Sequence, residues 1–341
     1  EIMAKLGEDE ELVVQIADGA YNIVNYIVDF DGASDEETEN ETDVVSNDFV
    51  SGNDYYTSET TTLSVDKNEV TANAETSDEH VFTVVNGVLI SYEGPGGEIV
   101  IPDGVTSIAD KVFYGNKTLT KVTIPEGCAT IGKEVFNFCS NIKEIVLPTE
   151  TEMTFGIKAL SALIGLEKIN TAEAKVIDFG SNAFIGSALT TLEIGDAGEG
   201  KVTTLGANFG AVSIYLETVK FNGNVGNITG AFDICLALKE CYFYGDVGDF
   251  TDKGFYRCDN LEVLEFHGDV GYIGGKNGGV SVMTLGNNKL KKIEFFGDVK
   301  GITGVAFSTC LDLEEVIFHG NLESFKHEYA FGVCPKLTKF T

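Results

Sequence analysis

From about Phe82 to the C-terminus the apolar residues recur in one repeated figure rather than in a single helical or strand period. A unit of the form L-x-x-V-x-I/F returns at Leu119, Ile142, Leu166, Leu189, Leu216, Leu238, Leu261, Leu290, Leu313 and Leu337. The intervals are 23, 24, 23, 27, 22, 23, 29, 23 and 24 residues. A constant period of this size predicts a solenoid, because one unit cannot bury its apolar side alone and must stack on the next. Within a unit the alternation is that of a strand. Leu238, Cys241 and Phe243 face inward, while Glu240, Tyr242 and Tyr244 face outward. The two long intervals read as loop insertions.

A second figure, Phe-x-x-Cys-x-x-Leu, occurs at Phe136–Ile142 (with Ile last), Phe232–Leu238, Phe255–Leu261, Phe307–Leu313 and Phe331–Leu337. Its Phe and Cys are expected to fill the half of the core away from the strands. The stretch Val81–Ile101 alternates around Asn86-Gly87 and around Gly94–Gly97, which predicts a hairpin leading into the first coil as an N-terminal cap. At the far end Leu337–Thr341 is a last strand, leaving an exposed sheet edge.

These spacings place residues 81–341 among leucine-rich-repeat arrays. The run from Ile99 to Pro148 is more specific and resembles the BspA-like leucine-rich repeats of bacterial surface proteins. Ile101-Pro102, Val105, Ile108 and Phe113 fit the family pattern in one coil, and Ile124-Pro125, Ile131-Gly132, Phe136 and Cys139 fit it in the next. From Phe221 onward the Ile-Pro pair gives way to Phe-x-Gly-Asp/Asn. The resemblance implies a right-handed array of about ten coils, with one parallel sheet on the concave face and short strands, turns or helical segments on the convex side. It also implies an extracellular or bacterial cell-surface location and a non-enzymatic, adhesin-like role.

The first 80 residues break the pattern. Clusters at Ile23, Val24, Ile27 and Val28 predict a helix over residues 9–30, against a β-branched content that argues for strand. Residues 31–79 have the Ser, Thr, Asn and acid-rich make-up of a linker. Charge sharpens this boundary. Residues 1–80 hold 22 of the 54 acidic side chains against Lys5 and Lys67, within a net charge of −31. Such a balance repels nucleic-acid phosphates and anionic headgroups. No apolar run is long enough to insert in a membrane. The start at Glu1 suggests a trimmed or mature piece of a longer protein.

Candidate chemistry is sparse. No phosphate-binding loop, nucleophile elbow or zinc-protease motif occurs, no cofactor is implied, and an enzyme is not expected. Seven cysteines without paired C-x-x-C clusters predict reduced, buried thiols rather than a disulfide framework. Asn40, Asn116 and Asn227 head glycosylation sequons, a pattern common by chance.

One outward feature stands above the rest. Tyr244, His267, Phe296 and His319 hold equivalent places in four successive coils, with Asn222 before them and Tyr242 two residues from Tyr244. Parallel strands lie about 4.8 Å apart, so these side chains would form an aromatic stripe. Such a stripe suits an extracellular protein or a glycan partner, or else it is a ladder that only steadies the fold. A column of Asn224, Asp246, Asp269, Asp298 and Asn321 runs two residues further on. Asp246, Asp269 and Asp298 are weak candidates for Ca²⁺, and backbone capping is the commoner use of Asx residues at turns. A display stalk with inert faces is the rival to a binding protein.

Overall fold

In the computed structural model, residues 80–251, 253–274, 289–326 and 329–341 are described, together with the strands Ile2–Leu6, Leu12–Ala17 and Ile23–Val28. The chain divides into two compact units, Glu1–Val70 and Thr71–Thr341. In the first, the three strands form an antiparallel sheet in sequence order. Leu12–Ala17 and Ile23–Val28 thus replace the helix expected over 9–30. The β-branched residues that argued against a helix settle in the extended backbone they favour. The linker reading of 31–79 lies outside the described residues, as do the 29-residue interval's insertion and the Asn40 sequon.

The second unit is the solenoid, and it carries the expected parallel sheet together with a second parallel ladder made by the short strands of the other side. The front ladder uses the L-x-x-V-x-I/F figure. It runs Gly97–Val100, Leu119–Thr123, Glu144–Val146 and Lys168–Ile169, then resumes as Thr191–Ile194, Thr218–Phe221, Glu240–Phe243, Val263–Phe266, Lys292–Phe295, Glu315–Phe318 and Lys339–Phe340. The rear ladder begins with the hairpin Val81–Val85 and Val88–Glu93, turning through Asn86 and Gly87 with φ of 50° and 79°, the left-handed pair of a tight hairpin turn. It continues through Ser107–Ile108, Thr130–Ile131, Glu152–Phe155, Lys175–Phe179, Val202–Leu205 and Asn224–Val225. Four further strands follow, Ile228–Thr229, Phe250–Thr251, Val270–Ile273 and Val299–Ile302. The Ser107-Ile108 type of segment was too short to register as a strand by alternation. Its ladder partners come only from the neighbouring coils. The 27-residue interval is taken up by a loop between Ile194 and Val202, with Gly198 and Gly200 at φ of 116° and 71°.

No helix occurs among the described residues: of the short strands, turns or helical segments expected on this side, the strands and turns are present. Each turn is punctuated by left-handed residues such as Glu134, Lys158, Asn182 and Asn208, with φ of 56°, 57°, 59° and 55°. The left-handed backbone aims each N–H along the solenoid axis instead of back into its own coil. Glu134 donates to the Ile157 carbonyl at 2.9 Å, Lys158 to Ser181 at 2.9 Å and Asn182 to Ala207 at 2.8 Å. A helix would close its hydrogen bonds within one coil and leave the stack untied on this side. Val212 and Ile234 take the same conformation, with φ of 57° and 59°. A β-branched residue adopts it only under strong constraint, here from amide bonds to Asp233 and Tyr256 at 2.7 and 2.8 Å.

Between the ladders lies one core. Phe221, Phe243, Phe266, Phe295 and Phe318 stack coil upon coil, with ring centroids 4.9, 5.1, 5.0 and 4.9 Å apart and planes within 7°. On the turn side, Phe113–Phe136, Phe232–Phe255 and Phe307–Phe331 do the same at 5.3, 5.5 and 5.1 Å. The Cys of the second figure sits beside them as a small group, buried except at the half-buried Cys334, and its thiol donates to a carbonyl of the previous coil. Cys139 reaches Phe113 O at 2.9 Å, Cys235 Gly210 O at 3.2 Å, Cys258 Phe232 O at 3.1 Å and Cys334 Phe307 O at 3.2 Å.

None of the seven cysteines is in a disulfide. Burial pushes the Cys128 and Cys139 thiols up to about 11 and about 12. Cys334, half-buried, is drawn down to about 7 by the Cys310 thiol next to it. A depressed pKa means that the thiolate, the reactive form, is present above that value. With limiting iodoacetamide just above about pH 7, Cys334 is expected to be alkylated first, as read by peptide mass mapping. Earlier modification of Cys128 or Cys139 would refute this ordering.

Candidate functional site

The outward side of the front ladder changes character along its length. In the early coils it is laced by ion pairs between neighbouring strands. Glu144 takes Lys121 at 2.8 Å and Lys168 at 3.1 Å, and the two ammonium groups hold its carboxyl below the usual range. From Asn222 to His319 the same face becomes aromatic and acidic.

The register explains how the aromatic row forms. Phe221, Phe243, Phe266 and Phe295 pair in sequence across the ladder, and Phe295 pairs with Phe318. The residue after each of them is therefore carried to the outer face at the same height. Tyr244 and His267 lie 5.0 Å apart, His267 and Phe296 4.6 Å apart, and Phe296 and His319 4.7 Å apart. The last two pairs are parallel within 8°. The predicted stripe is thus a stack of rings back to back with the inner Phe stack, separated by the strand backbone. Tyr244 is 44% exposed and Phe296 39%, against zero for the inner Phe243 and Phe295. Tyr242 lies parallel to Tyr244 at 6.0 Å, its hydroxyl pKa raised by burial and by the Glu240 and Glu265 carboxylates. Asn222 does not extend the ring stack; its amide donates to Glu193 at 2.8 Å.

Two residues that sequence reasoning passed over complete the site. Glu265 bonds His267 Nε2 at 3.0 Å, and Glu294 bonds His319 Nε2 at 2.8 Å. Glu294 also pairs with Lys292. Burial raises its pKa, but His319 and Lys292 outweigh that and keep it below the usual carboxylate range. Glu265-x-His267 was a legible signal, since residues two apart on a strand share a face. The Glu294 contact joins different coils and needed the register.

The Asx column is a hydrogen-bonded ladder. Asn224 Oδ1 accepts the Asp246 amide at 2.8 Å, Asp246 Oδ1 that of Asp269 at 2.9 Å, Asp269 Oδ1 that of Asp298 at 2.8 Å and Asp298 Oδ1 that of Asn321 at 2.7 Å. This is the capping use of Asx side chains. Among the described residues no three acidic, His or Cys groups converge as a metal centre. The preceding glycines have a steric cause: a Cβ on Gly245 would lie 2.5 Å from the carbonyl carbon of Gly223, and on Gly268 2.4 Å from that of Gly245. Phe-x-Gly-Asp therefore encodes an inner ring, an outer side chain, a close backbone approach and a cap. Asn227, which heads a sequon, likewise accepts the Asp249 amide at 2.9 Å, and Asn116 Oδ1 accepts the Leu119 amide at 3.0 Å.

No helix of the described residues is long and apolar enough to cross a membrane. Among curated protein sequences none matches the chain significantly. Solved structures similar to it are bacterial. A leucine-rich repeat protein from Bacteroides ovatus ATCC 8483 shares 20% identity with a TM-score of 0.50, over 77% of this chain and 81% of that one. A leucine-rich repeat protein of T. pallidum shares 19% with a TM-score of 0.40, over 70% and 89%. A leucine-rich cell surface protein from Faecalibacterium prausnitzii A2-165 shares 16% with a TM-score of 0.39, over 78% and 93%. The first supports the solenoid fold. The family model for the BspA type leucine rich repeat region matches residues 95–209, 199–277 and 280–341. With coils, capped turns and ring stacks in the described parts of those ranges, the chain belongs to the BspA-type leucine-rich repeat family.

Proposed function

We propose that this chain is a non-enzymatic binding protein, secreted or held at a bacterial cell surface, that attaches to a protein on a host or neighbouring cell. The attachment face is the outer side of the front ladder from Asn222 to His319. Family membership supports the surface location. The observation that carries the binding reading is the exposed ring stack, in which Tyr244 and Phe296 stand open on the strand face; exposed aromatic rows mark contact surfaces.

Ring orientation separates a protein partner from a glycan. Sugars pack their C–H faces on the open face of an aromatic ring. Here the faces of His267 and Phe296 are covered by the neighbouring rings at 4.6–5.0 Å. The stack offers ring edges, which suit the mixed apolar and polar contacts of a polypeptide. Ion pairs such as Lys239–Glu217 and Lys339–Glu315 continue into the later coils, so what distinguishes this stretch from an inert stalk is the ring row.

The test is adhesion of the fluorescently labelled chain to cultured epithelial and bacterial cells, before and after mild trypsin treatment of those cells or periodate oxidation of their glycans. The double variant Phe296→Ser/His319→Ser is run beside the parent. Trypsin-sensitive, periodate-resistant attachment, weakened about tenfold or more in a variant that stays folded with its Tm lowered by only a few degrees, is expected; tenfold corresponds to about 1.4 kcal/mol. Attachment equally strong in the variant would remove this face from the function, and periodate sensitivity would favour a glycan.

A further inference from the structure

Resting on that reading, the charge beside the ring stack assigns the partner's chemistry. We infer that the face takes a cationic extended segment, with the aliphatic stems of its Lys or Arg side chains over the ring edges and their charged heads among flanking carboxylates. Glu265 and Glu294 stand on one side of the rings. Asp246, Asp269 and Asp298 follow the ring residues by two positions along each coil, all three exposed. Lys292 lies among them, already paired with Glu294.

The fold needs the Asx oxygen in this column, not the charge. At its first position Asn224 makes the same bond to the next coil's amide, at 2.8 Å, that Asp246 and Asp269 make at 2.9 and 2.8 Å. Asn321 ends the column, again uncharged. Aspartate is confined to the three coils whose outer residues are Tyr244, His267 and Phe296. Like charges one coil apart, at about 4.8 Å, repel by about 1 kcal/mol per pair even in water. Folding gains nothing from that repulsion, and a bound cation removes it. Long basic side chains suit the geometry because their stems are apolar and their ends are not. From Tyr244 to His319 the row spans three coil steps, about 14 Å, the length of four or five residues of extended chain. Anionic glycans and nucleic acids meet the same charge with the wrong sign.

The experiment is fluorescence anisotropy with three labelled peptides of one length, in which Ser alternates with Lys/Arg, with Gln or with Glu. Each is titrated with the intact chain and with Asp246→Asn/Asp269→Asn/Asp298→Asn. That variant keeps every Oδ1 acceptor, so its Tm should equal or exceed the parent's. The basic peptide is expected to bind the parent at least about tenfold more tightly than the Gln peptide, and to weaken between about 50 and 200 mM salt as exposed charges are screened. The triple variant should lose about tenfold for the basic peptide alone. Because the whole chain is acidic, the loss on removing three charges is what localises the contact. A basic peptide bound no more tightly than the Gln peptide, or bound equally by the triple variant, overturns the inference. If that happens while face-dependent, trypsin-sensitive cell attachment persists, only the partner's charge is wrong. If Phe296→Ser/His319→Ser also attaches normally, the binding face itself is wrong.

Discussion

Gly268→Ala is expected to break the solenoid in the middle. The added Cβ would sit 2.4 Å from the carbonyl carbon and 2.5 Å from the carbonyl oxygen of Gly245, against real contacts of at least about 3.4 Å. The obstacle is backbone of the adjoining coil, which is held by ladder bonds on both sides of the glycine. His267 N donates to Phe243 O at 2.8 Å and the Asp269 amide to Asp246 at 2.9 Å. Relief requires the coils to part, which sacrifices those bonds and the contact between Phe243 and Phe266. We expect a cost upwards of about 3 kcal/mol, beyond ordinary overpacking. In a linear array each coil is coupled only to its neighbours, so damage at one junction uncouples the two flanks. Differential scanning calorimetry should show a single transition in the parent become two, with the lower well below the parent's Tm. Gly226→Ala is the control: a Cβ there meets nothing nearer than 3.7 Å, and its Tm should hold. A Gly268→Ala transition within a degree or two of the parent's would show that the close approach is not what selects glycine.

The inner and outer ring stacks should respond unequally to truncation. Phe266→Ala removes a ring with no exposed surface, stacked on Phe243 at 5.1 Å and on Phe295 at 5.0 Å and edge-on to Phe250 at 5.5 Å. The cavity it leaves is walled by rings fixed to their own strands, so collapse is limited and the loss is about 3–5 kcal/mol. His267→Ala, one residue along, removes a ring that solvent already touches. Ring pairs contribute about 0.5–1.5 kcal/mol each, and the loss of its partly exposed bond to Glu265 adds little. With two such pairs lost, its expected cost is about 1–3 kcal/mol, toward the lower end because the ring is partly exposed. Urea denaturation of the two variants decides between a binding surface and a fold-steadying ladder. Comparable losses would mean that the outer stack exists to hold the coils together.

Much of this molecule was legible in its residues. The repeat of Leu119 through Leu337 determined the coil count, and the strand alternation determined which side chains point inward, because both follow from burial along a periodic chain. The equivalence of Tyr244, His267, Phe296 and His319 placed the ring row on one face for the same reason. Three features were decided by tertiary structure. Short strands were expected on the convex side, but that they join in a second ladder was not legible, because strands as short as Ser107–Ile108 carry no alternation of their own and are made by neighbouring coils. Among the strands, turns or helical segments left open for the convex side, left-handed turns prevailed over helix because amides at Glu134, Lys158 and Asn182 gain partners in the next coil, a demand that no local propensity expresses. The helix expected over 9–30 yielded to strands whose pairing supplies the backbone bonds.

The sequence by itself thus determined what repeats and which way it faces, since hydrophobic burial depends on composition and order along the chain. Only the stacked coils decided that the rings present edges rather than faces, that Glu294 holds His319, and that Asx oxygens tie coil to coil. Those are distances between residues 22–29 positions apart, and they come into being when one coil settles on the last.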